Sequence, residues 1–103
     1  MASVYTTRSW RPFEGEDGDF VREWQGFMGW AAALPGAGRG LLARDLRDPG
    51  RYVSFMEWAE PESVRAWKGS TELRPRMARV QAHVDRFEPT ELEVVALVGH
   101  STG

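Results

Sequence analysis

An α+β fold with the element order βαββαβ is what this sequence of 103 residues predicts. Three observations carry the prediction. An apolar stripe at helical spacing runs from Phe20 to Leu34, a turn signature "DPGR" joins two strand-like runs, and a second helical stripe leads into a closing apolar run. The simplest arrangement of that order is ferredoxin-like: a four-stranded antiparallel sheet with both helices on one face.

The first strand is "VYTTRSWRPF", Val4 to Phe13, ended by Pro12. The Gly-rich "EGEDGD" follows, with Asp17 or Asp19 placed to cap a helix. That helix spans Asp19 to Leu34, with Phe20, Trp24, Phe27, Met28, Ala31 and Leu34 on one stripe, and "LPGAGRG" stops it. Strand two is Leu41 to Asp48. In the turn Asp48 to Arg51, Pro49 presets φ and Gly50 accepts a positive φ, and strand three, Tyr52 to Ala59, completes a hairpin. "EPES" starts helix two, with Pro61 in its first turn and Val64 and Trp67 inward. Gly69 and Ser70 interrupt it. A fresh stripe then runs through Leu73, Met77, Val80, Val84 and Phe87; Pro75 is tolerated near its start and Pro89 ends it. The last strand is Thr90 to Gly99, and "HSTG" is a frayed tail.

Composition narrows the function. One domain is the natural reading, with a core near residues 4–98 and a tail at 99–103. Hydrophobic residues make up 42% and charged residues 27%, with a net charge of −2, as in an ordinary soluble globule. The basic residues are scattered among acids, which argues against nucleic acid and against a polybasic membrane surface. The absence of cysteine excludes disulfides, thiolate metal sites and cysteine nucleophiles. No signal-peptide pattern opens the chain and no apolar run approaches ~20 residues, so a cytoplasmic protein is expected. Five tryptophans are a large share for so short a chain, more than one small core buries easily.

Strand three poses a physical problem. Tyr52, Met56 and Trp58 alternate to one side, and Val53 and Phe55 to the other. Strand four has the same character, with Leu92, Val94, Ala96 and Val98 set against Val95 and Leu97. Two helices cover one face only, and monomers rarely leave a contiguous apolar patch bare. The expected cover is a second copy of the sheet in a two-fold homodimer, burying ~800 Å² per subunit.

The stretch "DPGRYVSFMEWAEPESVRAW" resembles the hairpin and second helix of the antibiotic biosynthesis monooxygenase (ABM) family, in the dimeric α+β-barrel superfamily. The family pattern there is a strand ending in Trp, an acidic or Ser turn, then a helix with a second Trp. Trp58 and Trp67 stand at those positions, and "LPG" at Leu34 to Gly36 matches the family's end of helix one. The resemblance runs from Val4 to Val98 and implies the dimeric barrel. The haem-degrading branch carries an Asn on strand one, a Trp on helix two and a haem-ligating His ten residues later. Thr7, Trp67 and Met77 occupy those places; only the Trp is kept and Met77 has a core role in its stripe, so haem is disfavoured. The cofactor-independent branch oxidises aromatic polyketide anthrones to quinones. It has an Asn four residues before the strand-ending Trp, a Tyr six after it and an Arg further along helix two. Those positions carry Ser54, Trp58, Val64 and, in a gapless count, Ala78, with Arg79 adjacent: Trp58 is kept, Ser54 remains a hydrogen-bonding group, the Tyr is lost, and the Arg is kept only with a slip of one residue.

Cofactor-free oxygenation needs a dry pocket, a base and a donor for a developing oxyanion. Trp24, Phe27, Tyr52, Trp58, Trp67 and Phe87 are the expected aromatic walls, with Thr7 and Met77 added by the resemblance. The catalytic candidates are Trp67, Trp58, Ser54, Arg79 and, as base with an ordinary pKa of ~6.5, His83. Arg8 and Arg79 are candidates to bind a phenolate or carboxylate. The two histidines and the carboxylates show no metal-ligand spacing, so no metal and no flavin are expected. The first hypothesis is a dimeric ABM-like monooxygenase, or a related cyclase or isomerase, acting on a small aromatic polyketide-like molecule. The second is a dimer that holds an aromatic ligand or haem without turnover, and the third a structural or regulatory dimer with a filled core.

Overall fold

Residues 3–99 are described in a computed structural model; His100 and the rest of the expected tail lie outside them. The order is β1 (Val4–Pro12), α1 (Asp17–Ala32), β2 (Ala37–Arg44), β3 (Tyr52–Trp58), α2 (Pro61–Lys68), α3 (Leu73–Gln81) and β4 (Val84–Glu93). The strands form one antiparallel sheet in the order β2-β3-β1-β4, the expected ferredoxin-like topology. Helix two is divided at Gly69 and Ser70, as its sequence interruption suggests, so three helices cover the sheet. No helix among the described residues is long and apolar enough to cross a membrane.

Strand alternation builds the core. Along β3, Tyr52, Ser54, Met56 and Trp58 are buried beneath the helices, whereas Val53, Phe55 and Glu57 are half-buried on the outer face. On α1, Phe20, Trp24, Phe27, Met28 and Ala31 are buried, the same stripe the sequence shows. Two glycines make close packing possible at the start of β2. Gly36 turns the chain at φ 81, and a Cβ there would lie 2.0 Å from Ser63 Oγ. A Cβ on Gly40 would press on Met28 Cε at 3.1 Å and Met56 Sδ at 3.2 Å. For this reason β2 begins at Ala37 and not at Leu41: the glycines that read as a helix stop also bring the strand against α1.

Four expectations are corrected. The stripe through Val84 and Phe87 is not helical. α3 ends at Gln81, and both residues belong to β4. A register shift between Arg11 and Pro12 pairs Trp10 with Phe87 but Pro12 with Val84, so residues three apart share the inner face and imitate helical spacing. Pro89 does not end an element; it sits in β4, an edge strand, where a missing N–H is tolerated. The last strand stops at Glu93, and the apolar run beyond it is outside the sheet, with Val95, Leu97 and Val98 exposed. Neither Asp17 nor Asp19 caps α1. Both lie in its first turn, where Asp17 accepts a hydrogen bond from Tyr52 Oη at 2.7 Å and Asp19 pairs with Arg22.

The β2–β3 connection is longer than the expected tight turn. Arg51 N donates to the Asp48 carbonyl at 2.8 Å, which is the "DPGR" turn, but Gly50 does not take the positive φ expected of it. The loop is closed further by Asp45, whose carboxylate accepts from Arg47 N at 2.8 Å and Asp48 N at 3.2 Å. These backbone donors hold the Asp45 carboxyl below the usual range.

Gly36→Ala combines a positive φ with a direct clash on Ser63. A loss of roughly 2 kcal/mol or more is expected in chemical denaturation, whereas Gly26→Ala on open helix surface should gain up to about 1 kcal/mol.

Candidate functional site

Alternation along β1 turns Val4, Thr6, Arg8 and Trp10 toward the helices and leaves Tyr5, Thr7 and Ser9 on the outer face. A buried indole N–H needs an acceptor, and two reciprocal bonds supply them. Trp10 Nε1 donates to Ser54 Oγ at 2.9 Å, and Trp58 Nε1 donates to Thr6 Oγ1 at 3.0 Å. Each of β1 and β3 thus contributes one tryptophan and one hydroxyl.

On this base α2 lays Trp67. Its ring centroid is 5.0 Å from that of Trp58, and 6.1 Å from that of Phe27 on α1. At the other end, Trp10 stacks on Phe87 at 5.6 Å and meets Phe20 at 5.4 Å. Arg8 lies between the two aromatic groups. Its guanidinium carbon is 5.2 Å from the Trp67 centroid and 5.9 Å from that of Trp10. Burial lowers its pKa to about 10, so it remains a cation at neutral pH. Its buried Nε has no hydrogen-bond partner.

A cleft of about 270 Å³ opens beside Trp67, lined by Leu34, Pro35, Ser63, Ala66 and Ser70 among others. Trp67 Nε1 and Ser70 Oγ are both buried and unpartnered. A second cleft, of about 380 Å³, is lined by Val21, Trp24, Gln25, Leu42, Arg44 and Tyr52. Tyr52 Oη donates to Asp17 and accepts from Arg44 Nη2 at 2.7 Å; burial, then the bond to Asp17, raises its pKa. Among the described residues there is no cluster of three or more His, Cys, Asp or Glu that could hold a metal.

The expected site residues therefore fall in several places. Ser54, Trp58, Trp67, Phe27 and Met77 are together in the layer between sheet and helices, with Phe87 at its edge beside Trp10. Trp24 and Tyr52 line the other cleft. Thr7 is on the outer face, opposite Phe55 and Thr90. Arg79 is exposed and pairs with Glu23 at 3.4 Å. His83 lies in the turn before β4, its Nδ1 2.9 Å from Glu16 Oε1. Thr6 and Trp10 join the site without being among the sequence candidates, although two-residue spacing along β1 relates them to Arg8.

Residues 3–83 match the family model described as antibiotic biosynthesis monooxygenase. SnoaB, a cofactor-independent oxygenase from Streptomyces nogalater, superposes with a TM-score of 0.84 at 16% identity, covering 97% of this chain and 100% of its own. A mutant form of SnoaB gives 0.86 at 15% identity with the same coverage. A conserved protein from Methanosarcina mazei Go1 gives 0.79 at 12% identity, over 90% of this chain and 93% of its own. No curated protein matches the chain.

Thr6→Val removes the acceptor of a buried indole while keeping side-chain shape. The unpaired N–H should lower stability by about 1–3 kcal/mol in urea unfolding, more than Thr7→Val on the outer face.

Proposed function

The chain belongs to the antibiotic biosynthesis monooxygenase family, and from that premise we propose that it oxidises a flat, electron-rich aromatic molecule of polyketide type without metal or flavin. One observation carries the reading: the Trp58–Trp67 pair, 5.0 Å apart with Ser54 on the same face of β3, beside a cleft that Trp67 helps to line. The cleft, at about 270 Å³, is just below the range of small-molecule sites, ~300–1,000 Å³.

The chemistry belongs largely to the substrate. An anthrone loses a benzylic proton to water and the resulting anion gives one electron to O₂. The radical pair recombines with formation of a C–O bond, and the peroxide takes up a proton. Loss of the second benzylic proton and cleavage of O–O then give the quinone carbonyl and water. The balance is CH₂ + O₂ → C=O + H₂O. The protein's part is to hold the ring system against tryptophan, exclude bulk water and offer N–H and O–H donors to the anionic oxygen. Trp67 and Ser70 line the cleft, and their buried, unpartnered Nε1 and Oγ become such donors only if the cleft wall shifts on binding.

A homodimer through the outer sheet face is part of the same reading. Leu41 and Leu92 are exposed on that face, Phe55 is half-buried there, and Val95, Leu97 and Val98 add exposed apolar surface beyond β4. The alternative is a dimer without turnover, favoured by the near-complete burial of Trp58 and Trp67.

Oxygen uptake with 1,8-dihydroxyanthrone decides between them. The wild type should consume one O₂ per quinone formed, above the protein-free rate. Trp67→Phe, which keeps a ring but removes the N–H, should lower kcat/KM about tenfold. Uptake equal to the protein-free rate would favour the non-catalytic dimer.

A further inference from the structure

The cleft of about 380 Å³ between α1 and the β2–β3 hairpin shares no lining residue with the one beside Trp67. Its size falls within that of small-molecule sites, ~300–1,000 Å³. Val21, Trp24 and Gln25 line it from α1, at spacings of three and four residues that put them on one helix face. Leu42, Arg44 and Tyr52 line it from the sheet. Register sets those three on the inner face, with Leu42 opposite Ser54 and Arg44 opposite Tyr52. A dimer through the outer face therefore leaves this cleft open. Of the six lining residues only Arg44 is charged, and its side chain is held in place. Its Nη2 donates to Tyr52 Oη at 2.7 Å, and its guanidinium carbon is 5.2 Å from the Tyr52 ring centroid. Tyr52 in turn donates its hydroxyl proton to Asp17, which leaves the oxygen as an acceptor for Arg44. Among the described residues no carboxylate forms an ion pair with Arg44 itself.

We infer that this cleft is a second ligand site, which takes a small carboxylate with an apolar body of one or two rings. The body lies against Val21 and Leu42, both half-buried at the cleft, and the carboxylate meets Arg44. The donor geometry selects the carboxylate. A guanidinium has two edges of paired N–H groups, and Nη2 gives one hydrogen to each. The bond to Tyr52 uses one of those hydrogens, so one edge stays whole and matches the two oxygens of a carboxylate. The tie to Tyr52 also orients that edge in advance, which lowers the entropy lost on binding. Free phosphate would find the donors but make no use of the apolar wall. A neutral ring would use the wall and leave the donor edge to water. The site does not depend on turnover in the cleft beside Trp67.

The test follows the indole N–H signals by NMR during titration with 2-naphthoate and with its neutral counterpart, naphthalene-2-carboxamide. Trp24 reports on this cleft and Trp67 on the other. In wild type the Trp24 signal should move, and the carboxylate should bind about fivefold or more tightly than the amide. Arg44→Met, of similar length without the donor edge, should bind the two alike. Val21→Phe, which fills the cleft from α1 and keeps Arg44, should abolish the movement at Trp24. Equal binding of both ligands by wild type overturns the choice of a carboxylate. A preference that survives in Arg44→Met overturns the role of Arg44, and movement at Trp24 that survives in Val21→Phe overturns the placement in this cleft. Movement at Trp67 alone overturns the second site and leaves the proposed function standing. A still Trp24 signal at about 1 mM of either ligand overturns the inference as a whole.

Discussion

Two indole-to-hydroxyl hydrogen bonds between the central strands, Trp10 to Ser54 and Trp58 to Thr6, are the constraint on which the interior depends. Both are diagonal. In the β1–β3 ladder Trp10 faces Tyr52 and Trp58 faces Val4, and each indole reaches two residues along to the partner strand's hydroxyl. A one-residue slip would send every one of these side chains to the opposite face. The pair of bonds therefore fixes register as well as satisfying polar groups. It also sets the flat walls against which Trp67 and Phe87 pack.

The same arrangement explains the unusual tryptophan content. A large indole fills the space between sheet and helices that would otherwise need several aliphatic side chains, but its N–H must be met when buried. Trp10 and Trp58 are met within the sheet; Trp24 and Trp67 are buried without a partner. The unmet donors and the lone Arg8 are thus concentrated in the layer between sheet and helices. A core selected for stability alone would lack them, because an apolar isostere at each place costs less. Local inconsistency of this kind is where function is expected to lie.

Much of this was legible in the sequence, and what was not has physical causes. Element order, the α1 stripe, the start of α2 at Pro61 and the shared face of Ser54 and Trp58 follow from periodicity and turn chemistry. The α3–β4 boundary does not, because a register shift that leaves Asp85 of β4 unpaired gives a strand the spacing of a helix. Pro89 misleads unless β4 is known to be an edge strand. Counting by family resemblance selects Thr7 on β1, yet alternation from Trp10 selects Arg8 and Thr6. His83 and Arg79 illustrate a different limit: their partners, Glu16 and Glu23, come from α1 or just before it, and no local pattern reveals such tertiary pairing.

Hydrogen exchange at the indole N–H groups, followed by NMR, tests the central claim most directly. The account predicts that Trp10 and Trp58 exchange slowest of the five tryptophans and that Thr6→Val accelerates Trp58 while sparing Trp10. Exchange of the Trp10 and Trp58 N–H groups as fast as that of half-buried Trp30 would contradict it.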